Sequence, residues 1–217
     1  MTKMNLFDNF NNNHDFIKLF EMKLSKFTGA PYVVLTDSAS NAIFLLLKFL
    51  KFFNKVNLTD NTIEIPKNTY ISVPQSIIHA GFKVKFNNNK WLYQYELKPL
   101  NIIDAAVNFD KNIYKSGYYM ILSFQQKKAL NIGKGGAILL DNEEEYEILK
   151  RMTWDGRDAS VPVQYDDRIL PPEISYHMNF TPDMAVKGLL LLNQITDKRI
   201  QEHKKSYKDY PDISIYF

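Results

Sequence analysis

Two lysines, Lys127 and Lys128, stand between an apolar run, Tyr118 to Phe124, and a glycine-rich turn, Gly133-Lys134-Gly135-Gly136. A lysine near the end of a buried strand can form a Schiff base with a carbonyl. The same two residues also read as solvated charges on a loop, and the stretch by itself leaves both readings open. Three other places carry complementary groups. The segment Thr36-Asp37-Ser38-Ala39-Ser40-Asn41 joins an apolar run to an apolar helix. Its free backbone N–H groups and the hydroxyls of Ser38 or Ser40 suit a phosphate, and plain helix capping by Ser38 or Ser40 is the commoner use of such a turn. Tyr70 follows a short strand and offers a flat ring. Asp104 closes the run Asn101-Ile102-Ile103, where it can face a protonated ring nitrogen or serve as a cap or turn residue.

The elements that must hold these groups alternate between strand and helix. A helix from Asp15 to about Phe27, stopped by Gly29, precedes the strand Tyr32–Leu35, a continuous apolar run of the kind covered on both faces. An apolar helix runs through Ala42 to Leu50. The strand Thr62–Ile65, a short helix from Gln75 to Ala80 and an edge strand Lys83–Phe86 follow. The strand ending at Asp104, the strand ending at Phe124 and a strand Ala137–Leu140 come next. A helix opens at Glu143 with acids in its first turn and Lys150 and Arg151 in its last. Residues 159–175, with Pro162, Pro171 and Pro172, form a loop long enough for function or a subunit contact. Thr181-Pro182-Asp183 then starts a helix that is apolar on most sides and is expected to be buried, as in a dimer.

Composition narrows the field. The chain has 217 residues, enough for a real core, and 45% of them are hydrophobic, which argues against disorder. A net charge of +3 without a basic stripe gives no reason to expect nucleic acid. Cysteine is absent, which excludes disulfides and thiolate metal sites, and the four histidines have no metal-ligand spacing. No signal peptide and no membrane-length apolar run is visible, so a soluble, cytoplasmic protein is expected. The domain reading is a polar arm over 1–14, an α/β domain over 15–205 and a short tail over 206–217.

A lysine, an aspartate, an aromatic ring and a phosphate-type turn, each at a strand end, match the needs of pyridoxal 5'-phosphate. At these residues the chain resembles the DegT/StrS-type sugar aminotransferases. Their Ser-Phe-x-x-x-Lys-x-Leu-x-x-Gly-x-Gly-Gly motif is met by Ser123, Phe124, Lys128, Leu130, Gly133, Gly135 and Gly136. Ser38-Ala39-Ser40 stands for their Ser-Gly-Thr, Thr69-Tyr70 for their Thr-aromatic pair and Asp104-Ala105-Ala106 for their Asp-Ala-Ala. The resemblance implies that Lys128 is the catalytic lysine. It further implies that Ala39, Ser40 and Ser123 hold the phosphate, that Tyr70 stacks on the ring, that Asp104 meets the ring nitrogen, and that Gln125, His177 and Asn179 also bind cofactor. His177 or Asn179 would do so across a homodimer. The implied fold is α/β, a fold-type I large domain with a mostly parallel central sheet, helices on both faces and the small C-terminal domain missing or vestigial. The implied reaction adds an amino group, with glutamate as donor, to a keto-sugar that is nucleotide-linked. A cofactor-fold protein that binds a sugar nucleotide or a partner without catalysis, and a sugar dehydratase, are the alternatives. Family dehydratases carry histidine where Lys128 stands. One departure is chemical: Val107 occupies the position where the family has Gln or His.

Overall fold

The computed structural model describes residues 14–56, 58 and 60–217; the expected N-terminal arm, apart from His14, lies outside the described residues. Five strands form the main sheet: β1 (Tyr32–Thr36), β4 (Tyr95–Glu96), β5 (Ile102–Asp104), β6 (Tyr119–Ser123) and β7 (Gly136–Leu140). Their spatial order is β1-β7-β6-β5-β4. Only β5 and β6 pair in parallel; β1 with β7, β7 with β6 and β4 with β5 are antiparallel. Because β7 opposes both β1 and β6, those two share one direction with β5. The expected parallel framework is therefore present, interrupted by two reversed strands into a mixed sheet. A separate parallel pair, β2 (Thr62–Pro66) and β3 (Lys83–Asn87), joins the main sheet through Glu64 and Lys98, which exchange backbone hydrogen bonds of 2.8 and 3.0 Å.

Alternation along the strands divides the core into two layers. Val34, Ile102, Ile121, Ile138 and Leu140 face α2 (Ala39–Phe52), α3 (Ser72–His79) and α4 (Glu143–Met152). Val33, Leu35, Ile103, Met120, Leu122 and Leu139 face α1 (His14–Thr28) and α5 (Pro182–Gln194). Helices thus cover both faces. Phe20 of α1 is fully buried, which stabilises the fold by roughly 1.5–3 kcal/mol. It packs where a Cβ on Gly188 would come within 2.5 Å of its ring, so α5 needs glycine there. Within this chain α5 buries Ala185 and Gly188 and leaves Leu190 60% exposed, because only one side of it lies on α1.

The long loop and the C-terminal end are both anchored. Arg151, buried at the end of α4, donates to both oxygens of Asp166 at 2.8 Å and to the Arg168 carbonyl, pinning residues 158–168. Residues 206–217, expected as a tail, fold back over the segments before β4 and α3. There Ile213 donates to the Lys67 carbonyl, Tyr207 donates to the Trp91 carbonyl and the Asn68 amide donates to the Tyr210 carbonyl.

Candidate active site

The shared direction of β1, β5 and β6 brings their C-terminal ends to one edge, and a cavity of about 190 Å³ opens there toward solvent. Ligands of open α/β sheets sit at such edges. On one wall is the N-terminus of α2. Ser38 is its cap, with Oγ accepting from the Asn41 N–H at 3.1 Å. Ala39 and Ser40 begin the helix and line the cavity, and their N–H groups precede the first intrahelical bonds. Ser40 Oγ is 2.6 Å from Ser72 Oγ. Ser38 thus caps the helix, and Ser40, two residues further on, lines the cavity.

The glycine-rich turn presses against that helix end. A Cβ on Gly136 would lie 2.4 Å from the Ala39 nitrogen, and Gly135 adopts φ +115°. No residue but glycine allows this approach, which sets β7 beside the α2 N-terminus. Hydrogen bonds between Phe124 and Gly133 (3.0 Å) and between Phe124 and Gly135 (2.9 Å) fold the intervening lysine turn back onto the site. Within it the two lysines part. Lys127 is exposed, whereas Lys128 is half-buried and lines the cavity together with Gln125. Among the described residues the Lys128 amine has no hydrogen-bond or ion-pair partner. Burial holds its pKa below the ordinary lysine range, the charge of Asp104 opposes that, and Lys205 adds to it.

Asp104, at the end of β5, is 6% exposed. Its Oδ1 accepts from the Ala106 N–H at 2.9 Å and its Oδ2 from the Tyr95 hydroxyl at 2.6 Å. Ser123 closes β6 on the same cavity, and Tyr70, 55% exposed, stands at its mouth. Seven of the nine residues singled out from the sequence thus meet around one space: Ala39, Ser40, Tyr70, Asp104, Ser123, Gln125 and Lys128. His177 and Asn179 do not line it. The His177 imidazole is exposed and 3.1 Å from Asp155, while Asn179 follows Met178, whose carbonyl accepts from Asp37 at the end of β1. Sequence reasoning missed Trp91, Tyr95 and Tyr210, which complete an aromatic wall, and Val107 contributes an apolar patch beside Asp104.

The cavity suits a flat, anionic, carbonyl-bearing cofactor. It offers a desolvated amine, a buried carboxylate, an exposed ring, and a helix N-terminus flanked by hydroxyls.

The fold is similar to that of several solved structures. A putative PLP-dependent aminotransferase from Bacillus cereus is 17% identical with a TM-score of 0.67, over 88% of this chain and 61% of that one. Helicobacter pylori PseC, an aminotransferase involved in the biosynthesis of pseudoaminic acid, is 14% identical with a TM-score of 0.64, over 82% and 57%. A mutant GDP-4-keto-6-deoxymannose-3-dehydratase (ColD) with bound GDP-perosamine is 17% identical with a TM-score of 0.64, over 83% and 61%. The chain therefore spans about 60% of the length of these structures, whose fold-type I architecture it shares. No match was found among curated protein sequences. The family model for the DegT/DnrJ/EryC1/StrS aminotransferases matches residues 5–108 and 104–212, nearly the whole chain, and the chain belongs to that family.

Proposed function

We propose that this chain carries the cofactor site of a pyridoxal-phosphate-dependent aminotransferase that adds an amino group, drawn from glutamate, to a nucleotide-linked keto-sugar. The observation that carries this reading is the pairing of Lys128 with Asp104 around one cavity, the amine held below its usual pKa and the carboxylate buried. When bound, pyridoxal phosphate supplies an aldehyde that links to amines and a pyridinium ring that accepts electrons. Lys128 presents the amine for that link. Its lowered pKa favours the neutral amine, the form that would take a proton from the donor carbon and return it. Asp104 accepts the ring N–H and keeps that nitrogen protonated. Ala39 and Ser40, through N–H groups, and Ser40 and Ser123, through hydroxyls, hold the phosphate. Tyr70 covers a ring face, and Gln125 contacts the cofactor from the lysine turn. His177 and Asn179, outside their own chain's cavity, are assigned to the partner's site in a cytoplasmic homodimer.

The test is spectroscopic and chemical. Purified protein with pyridoxal phosphate should develop a band at roughly 400–430 nm, and glutamate should then be converted to 2-oxoglutarate. A band that persists unchanged in Lys128→Ala refutes the role of Lys128. A second reading, a binding module without catalysis, is favoured by Val107, which removes a polar group beside the acid. It predicts cofactor binding with no 2-oxoglutarate. Lys128 itself speaks against a dehydratase.

A further inference from the structure

We infer that Tyr95 is a positioning residue for the cofactor's ring nitrogen, acting through Asp104 as the middle link of a buried chain from Thr69 to Tyr95 to Asp104. The inference rests on the cofactor reading above and adds a residue that the family motifs do not contain.

Strand pairing sets up the contact. Tyr95 lies directly across from Asp104 in the antiparallel β4–β5 register, so both side chains leave the sheet on one side. The Tyr95 hydroxyl is 2.6 Å from Asp104 Oδ2 and hydrogen-bonded to Thr69 Oγ1. An ionised carboxylate only accepts, so Tyr95 donates to Asp104. Its one proton being used, Thr69 must donate to Tyr95. The direction of the whole chain follows. Burial first, and then the charge of Asp104, push the tyrosine's pKa well above its usual value, so the donated proton stays on the phenol at any working pH.

Each link is immobilised. Tyr95 is 6% exposed and Thr69 2%. The Trp91 ring packs on Tyr95 with centroids 5.1 Å apart, and its Nε1 donates to the Asn68 carbonyl at 2.8 Å. The Ala106 N–H fixes the other carboxylate oxygen. Asp104 is thus clamped at both oxygens, and Oδ2 keeps a second lone pair for a ligand N–H. Val107, which also lines the cavity, has no group to do this work. Because Thr69 precedes Tyr70, the chain also ties the segment carrying the ring-face residue to the acid that meets the ring nitrogen.

The experiment compares two ligands, pyridoxal phosphate and its analogue with carbon in place of the ring nitrogen, on wild type, Tyr95→Phe and Thr69→Val. Affinity is read by absorbance and fluorescence, and folding by thermal unfolding of the cofactor-free protein. Wild type should prefer pyridoxal phosphate. Tyr95→Phe should weaken pyridoxal phosphate by about tenfold, the effect of one hydrogen bond to a charged group, while leaving the analogue within about twofold. Thr69→Val, which keeps the Tyr95 bond and nearly the same shape, should move pyridoxal phosphate alone by roughly two- to fivefold. Equal weakening of both ligands, or no weakening of either, overturns the role of Tyr95. If Tyr95→Phe does not fold, the Thr69→Val result decides by the same criterion. A wild type that binds the two ligands equally overturns the meeting of Asp104 with the ring, and the proposal with it, and that failure is visible before any variant is made.

Discussion

Two partly buried lysines show how packing decides what an amine is for. Lys150, on α4, points at Glu21 of α1 with Nζ 2.6 Å from the carboxylate and 2.8 Å from the Tyr146 hydroxyl. Burial works against its charge, but Glu21 and Tyr146 outweigh that and hold its pKa above the ordinary range. Lys128 suffers the same desolvation with no partner in contact, and its pKa falls. One amine is locked as a cation that joins two helices. The other is left short of stabilisation, in the state a nucleophile or proton carrier requires.

The contrast can be broken by giving each lysine the same substitution. Lys150→Met should lower stability at pH 7 by about 3 kcal/mol, since it strands a buried carboxylate, as read by urea unfolding. The sign of its pH dependence is fixed by the raised pKa. The wild-type advantage is present below the ordinary lysine range and fades as pH rises through the folded value. Lys128→Met should act in the opposite sense, raising the stability of the cofactor-free protein by about 1 kcal/mol at pH 7. Here the unfolded chain binds the proton more tightly. Native stability therefore climbs with pH through the window between the lowered folded pKa and the usual value near ~10.4, and the variant's gain shrinks over that window. Destabilisation by Lys128→Met at pH 7 would mean that its amine is satisfied. Lys127→Ala should change neither stability nor cofactor affinity measurably, because its side chain is exposed and its backbone alone serves the turn.

The parts of the Lys128 site were not equally legible in the sequence. Lys128 sits in a run whose every residue type answers a local need: an apolar strand before it, and after it glycines demanded by positive φ at Gly133 and Gly135 and by close approach at Gly136. The α2 turn was legible for the same reason, since capping and phosphate holding both call for small polar residues at a helix start. Tyr95 was not. Its strand is two residues long, too short to show a period, and φ +68° at Tyr93 breaks the alternation of Trp91, Tyr93 and Tyr95. Only the first and last of these therefore turn inward. Tyr210 escaped notice because its place depends on contacts with Asn68 and Trp91, more than a hundred residues away. The reversal of β7 was likewise invisible, as an apolar run carries no mark of its direction. The α5 leucines were read as buried because a helix with apolar residues all round gives no sign of which side its own chain leaves open.

What matters most is which amine the cofactor reaches. Protein loaded with pyridoxal phosphate, reduced with borohydride and mapped by peptide mass spectrometry should carry the cofactor's mass at Lys128 and nowhere else. A label at Lys127 or Lys134, or one spread over surface lysines and retained in Lys128→Ala, would contradict the role of Lys128.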